Sequence, residues 1–181
     1  MQLVWHYSAI KTGFAVAPGP MMVPPFAAVA HRLSRRIPIG VLVSLGCLLC
    51  AAGATTTLFL VGPTSHYATE LLPGWLIGGV GVGFALPAIL SSATADLPAA
   101  QAATGSAVVN MSRQIGTALG VSLVVAVLGT PVGYVAAHTA FQHAWLALAC
   151  VAVISALSAP FMTPARQIEA ERVAPAALVP T

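Results

Sequence analysis

The sequence predicts an all-α, polytopic membrane bundle of five transmembrane helices, on three observations. Of 181 residues, 58% are hydrophobic and only 6% are charged, against about 25% charged in an ordinary soluble domain. A soluble protein of this size could not bury so much apolar side chain, so lipid must be part of its solvent. The apolar residues fall into five runs, each near the roughly 20 residues that carry a helix across ~30 Å of hydrocarbon. The runs are too long for barrel strands and lack strict alternation.

The expected transmembrane domain covers 13–162. Its first run, 13–33, follows an external segment 1–12 that ends near Lys11. Pro18, Gly19, Pro20, Pro24 and Pro25 interrupt this run and predict kinks. The second run, 39–61, carries no charge and is expected to face lipid. The third, 71–94, is rich in glycine and holds Pro87 near its middle. The fourth, 103–128, carries polar groups, and the fifth, 144–162, is again uniformly apolar. The connections are 31–38, 62–70 with a Gly62-Pro63 turn signal, 95–102 and 130–143. The Pro/Ala-rich stretch 163–181 is predicted to be a disordered cytoplasmic tail.

Basic residues set the expected orientation. With five spans, Arg32, Arg35, Arg36, Arg166 and Arg172 fall on one side and only Lys11 on the other. Positive charge collects in the cytoplasm, which places the C-terminus there and Met1 outside. The first residues lack the basic and apolar regions of a signal peptide. An external start without a signal, and an odd number of spans, predict a fragment of a larger protein.

Composition and spacing exclude several function classes. The net charge of +3 comes without a basic cluster interleaved with aromatics, so nucleic acid is not an expected partner. Cys47-x-x-Cys50 has redox-pair spacing but no second pair or zinc-ligand histidine beside it. It reads as two small apolar residues. His6, His31, His66, His138 and His143 have no metal-ligand spacing, so neither a metal nor a cofactor is expected. Glu70, Asp96, Glu169 and Glu171 all lie outside mid-membrane positions, and no nucleophile is paired with a base. An enzyme is therefore not expected.

What remains is polarity inside the spans. In the fourth run, Ser106, Asn110, Arg113 and Thr117 stand at i, i+4, i+7 and i+11, which is one helix face, and Gln114 adjoins it. A charge and amides facing lipid are costly, so this face is expected to meet protein or a water-filled path. Two roles stay open for Asn110, Arg113 and Gln114: contact with substrate in a cavity, or a structural or gating tie to other helices. Gly116-x-x-x-Gly120 on the same helix is a packing motif. In the third run, Gly79 and Gly83 permit close helix approach, while Pro87 removes a backbone hydrogen bond and permits a bend.

These residues carry a resemblance. The stretch 104–129, with Asn110, Arg113, Gln114, Gly116 and Gly120, resembles the penultimate helix of the fourteen-helix drug:proton antiporters of the major facilitator superfamily (the EmrB/QacA type). Tyr7, Ser8, Gly13, Pro18 and Gly19 resemble the opening of a helix earlier in that family, and LLPGWLIGGVGVGFALPAI a third. The loop HRLSRRIPIG resembles the superfamily's cytoplasmic signature at Arg32, Leu33 and Arg36. It departs from it at His31 and Pro38, where glycines are usual, and at Arg35, where an acid is usual.

The resemblance implies the last five of fourteen helices of a plasma-membrane exporter. That exporter would move a small hydrophobic or cationic substrate against protons by alternating access. It implies Trp75 and Phe84 as aromatic contacts in the cavity, a complementary N-terminal half holding the proton-coupling acids, and no activity for this chain alone. Under it, the first and fourth helices lie where the two halves rock, and the second and fifth are peripheral. The alternative is a small integral-membrane assembly or partner protein without transport of its own.

Overall fold

A computed structural model describes residues 8–62, 66–93, 97–98, 101–131 and 133–162. The chain is an all-α, multi-pass membrane bundle. Its helices are α1 (Ala9–Val16), α2 (Pro18–Leu33), α3 (Ile39–Leu60), α4 (Tyr67–Glu70), α5 (Leu72–Ser92), α6 (Ala102–Leu128) and α7 (Tyr134–Ser158). A 3-10 turn, Ala159–Met162, continues α7. Among the described residues, five stretches are long and apolar enough to span a bilayer: Ala9–Leu33, Ile39–Leu60, Leu72–Ser92, Ala102–Leu128 and Val135–Met162.

Local chemistry sets the boundaries. The Ser8 hydroxyl caps α1 by accepting from the Lys11 N–H at 3.3 Å, so the first span begins before residue 13. Pro18 occupies the first turn of α2, where its missing N–H is not needed. α3 starts directly after Pro38, and its end is held by Glu70, whose carboxylate accepts from the Gly62 N–H at 3.0 Å. Thr55, Thr56 and Thr57 near that end donate back to the carbonyls of Ala51, Ala52 and Gly53, so their hydroxyls are hydrogen-bonded within the helix. α6 stops at Gly129 with φ of +55°, and α7 starts after Gly133 with φ of +86°, both glycine conformations.

The last helix differs from the expected 144–162. It already begins at Tyr134. Polar residues between 138 and 143 suggest a loop in sequence, but a helix accommodates them: Thr139 donates to the Val135 carbonyl at 3.0 Å, inside its own turn. The expected tail at 163–181 lies outside the described residues.

Packing centres on α3. It lies against α5 and α7, α2 packs on the other side of α5, and α6 reaches the rest of the bundle through α7. Leu42 and Val43 are fully buried, in a core with Ala30, Ile39, Phe84, Ala88 and Ala159. This position corrects the expectation that the second span is peripheral. Its charge-free sequence is equally suited to lipid and to other helices, and small residues decide for helices. Gly46, Cys50, Gly53 and Thr57 form one face at i, i+4, i+7 and i+11. Gly74, Gly78, Gly81 and Ala85 form the matching face of α5 with the same spacing. A Cβ at Gly53 would lie 2.6 Å from the Gly74 oxygen, and one at Gly46 2.7 Å from the Gly81 oxygen. The two backbones are therefore in direct contact. In lipid, where burying apolar surface gains little, such close approach supplies the packing energy.

α7 packs against α3. Ala144, Ala149 and Ala156 are buried, while Leu146, Ile154 and Leu157 point outward. Ser44 of α3 donates to the Ala156 carbonyl at 2.8 Å and ties the pair.

Candidate functional site

Among the described residues, three places that carry polarity or space stand out. The first is a cleft of about 620 Å³ between α2, α3, α5 and α7. Pro20, Pro24, Gly53, Ala54, Gly78, Val82 and Leu86 give it apolar walls, and Trp75 and Trp145 contribute indoles. Its volume falls in the range of small-molecule sites. The Gly78 backbone lies beside Gly53, but a Cβ at Gly78 would meet nothing within 4 Å, so the cleft stays wide there. Cys50 also lines the cleft, and its thiol approaches the Gly78 carbonyl at 3.7 Å. It acts as a small packing residue.

Trp75 is held where α5 passes the break between α1 and α2. Its Nε1 donates to the Val16 carbonyl at 2.7 Å. Nearby, the Tyr67 hydroxyl donates to the Ala15 carbonyl at 2.7 Å. Phe84, the other aromatic expected to face a cavity, does not line this cleft. It is buried in the core against Phe26, with ring centroids 6.0 Å apart and planes at 47°. Cleft and core lie on opposite sides of α5, because residues 75 and 84 differ by half a turn in rotation.

The second place is a small pocket of about 50 Å³ where Pro87 meets His31, Ser34, Leu42 and Ser91. Pro87 leaves the Gly83 carbonyl without its helical donor. Gly79 and Gly83 face α2. A Cβ at Gly83 would lie 2.8 Å from the Phe26 Cβ, and one at Gly79 would strike the Gly19 carbonyl. The glycines of α5 are thus divided between two seams, one toward α3 and one toward α2. Arg32 lies in the last turn of α2 and Arg36 follows in a tight turn, in which the N–H groups of Arg36 and Ile37 both bond the Leu33 carbonyl. Both arginines are exposed.

The third place is α6. Arg113 Nη2 donates to Asn110 Oδ1 at 2.9 Å, and Thr117 donates to the Arg113 carbonyl at 2.9 Å. Helical spacing puts the three residues on one face, and these bonds run along it. Asn110, Arg113 and Gln114 are all exposed. A Cβ at Gly116 or Gly120 would meet nothing within 4 Å. Gly116 and Gly120 therefore have no helix against them among the described residues. Insertion scales charge an arginine near the middle of a membrane helix about 2.5–3.5 kcal/mol when it has no partner.

Sequence reasoning missed Tyr67, Trp145 and the α3 stripe. The stripe had a signal, the repeated i, i+4, i+7, i+11 spacing of small residues in two consecutive runs. Tyr67 and Trp145 had none, because their roles depend on how separate helices meet.

Comparison with known proteins agrees with this architecture. A family model described as the Major Facilitator Superfamily matches residues 1–121. A puromycin resistance protein of Streptomyces alboniger is 34% identical over 142 residues, covering 76% of this chain and 28% of its own length. A multidrug resistance protein B homolog of Mycobacterium tuberculosis (strain H37Rv) is 31% identical over 126 residues, covering 68% of this chain and 23% of its own. The chain thus spans about a quarter of the length of these relatives.

Proposed function

Because the chain belongs to the major facilitator superfamily, we propose that it forms part of a proton-coupled exporter of hydrophobic or cationic compounds, working by alternating access in the plasma membrane. The single observation that carries this reading is the apolar cleft with its two indoles, a wall fitted to greasy or planar guests that offers few obligatory hydrogen bonds. The names of the relatives, resistance proteins for puromycin and for multiple drugs, support efflux as the direction.

The open face of α6 supports a complementary part. Arg113 and Asn110 are costly to leave toward lipid, and Gly116 and Gly120 leave room for a backbone. We assign this face to another transmembrane helix of the intact transporter, with Asn110, Arg113 and Gln114 as a gating or structural tie. The proton-coupling acids belong to that complement, since the carboxylate described near the spans, Glu70, is engaged with Gly62 at a helix end. The C-terminus is assigned to the cytoplasm by the distribution of arginines.

Two reconstitutions test this reading. The purified chain in liposomes with a proton gradient should not move ethidium. Grafted in place of the aligned segment of the Streptomyces relative, it should support puromycin resistance in cells, and Arg113→Ala in the graft should reduce that resistance at least tenfold. Proton-driven efflux by the chain alone would remove the need for a complement.

A further inference from the structure

The first span is interrupted where Pro18 and Pro20 enter it, with α1 ending at Val16 and α2 starting at Pro18. In a continuous helix the Val16 carbonyl would accept from the N–H of residue 20, and Pro20 has none. A bare carbonyl at membrane depth is costly. This one is satisfied from elsewhere: Trp75 Nε1 of α5 donates to it at 2.7 Å. One residue earlier, the Ala15 carbonyl accepts from the Tyr67 hydroxyl of α4, also at 2.7 Å. The indole can come this close because the residue beside it is Gly19, where a Cβ would collide with the ring.

We propose that Trp75 and Tyr67 form a two-donor clasp that fixes the proline-interrupted turn of the first span, and that Trp75 couples this turn to occupancy of the cleft by a planar aromatic guest. The coupling rests on the cleft being the hydrophobic binding wall of the proposed exporter; the clasp does not. Trp75 lines the cleft, and Tyr67 is not among its lining residues. The bond to Val16 pins one edge of the indole and so sets where its face stands in the cleft wall. A guest stacked on that face needs the ring in this pose, so guest and clasp favour one another. Linkage makes the effect reciprocal: loosening the clasp from its far end, at Tyr67, must weaken the guest.

Amide hydrogen exchange on the full chain in lipid nanodiscs reads the clasp directly at residues 13–22, with the amides of α3 as internal control. Trp75→Phe and Tyr67→Phe should each speed exchange there by about tenfold, the scale set by one lost hydrogen bond, and leave α3 unchanged. Unchanged exchange at 13–22 in both variants overturns the clasp. If W75F loses protection throughout α3 as well, Y67F alone decides, since it keeps its ring. Pro20→Ala returns an N–H donor to the Val16 carbonyl, so in that background W75F should change exchange by less than about twofold. An undiminished effect overturns the assignment of the orphan carbonyl.

Ethidium anisotropy reads the coupling. Y67F should weaken ethidium binding several-fold, and bound ethidium should slow exchange at 13–22. Equal affinity in Y67F and the unaltered chain overturns the coupling and leaves the clasp. No ethidium binding at all overturns the reading of the cleft, while the exchange arms still decide the clasp.

Discussion

Helices α3 and α6 reverse the rule that holds in water. α3 has no charged residue and is the most enclosed of the five spans, with 44% of its most apolar stretch buried. α6 carries an arginine and two amides, yet none of its corresponding stretch is buried. In water, an apolar helix seeks the interior because burial is favourable. Between helices in lipid that force is absent, and small size rather than apolarity decides contact. α3 meets α5 because Gly46 and Gly53 let backbones touch. α6 has the same resource in Gly116 and Gly120, but no helix rests on it among the described residues. Polarity in a membrane helix then marks where a protein partner is required rather than where water is.

The largest test of this contrast exchanges glycine for leucine in each helix. Gly53→Leu should destabilise the chain by about 3 kcal/mol or prevent folding, since its first side-chain carbon already overlaps the α5 backbone. Gly120→Leu should leave the thermal unfolding of this chain in detergent unchanged. Comparable losses from both would end the distinction between a filled and an open seam.

The next effect concerns insertion. Replacing Arg113 by leucine should raise the membrane-inserted to non-inserted ratio of the 102–128 segment by about tenfold or more in a translocon assay scored by glycosylation. In the grafted transporter the same change should abolish resistance. A substitution that helps insertion but destroys activity separates the need for a partner from the need for lipid.

A smaller effect is expected at the tie between α3 and α7. Ser44→Ala removes the bond to the Ala156 carbonyl and should cost about 1 kcal/mol in denaturant unfolding. Smallest is Asn110→Ala, because its partner Arg113 stands on the same exposed face of the same helix. It should change the stability of this chain negligibly and matter only once a second helix covers that face.

The spans were legible in the sequence because length and apolarity are local properties. The polar face of α6 was legible too, since the 3.6-residue period of a helix by itself brings Asn110, Arg113 and Thr117 together, and their hydrogen bonds run along that face. The position of α3 was not, because a charge-free sequence serves lipid and protein equally. Phe84 and Trp75 show the same limit. Helical rotation puts them on opposite sides of α5, but which side meets the cleft and which the core is set by where α2 and α3 stand. The start of α7 was hidden by Thr139 and its polar neighbours, which look like a loop in sequence although the Thr139 hydroxyl folds back onto its own helix.

The seam between α3 and α5 has one more consequence. Where Gly46 meets Gly81 and Gly53 meets Gly74, backbone lies directly against backbone with no glycine side chain between them. In the proposed transport cycle these two backbones are expected to travel as one piece. Probe pairs placed across that seam should keep a constant separation with or without substrate, which makes it the molecule's own fixed ruler against which every other displacement can be measured.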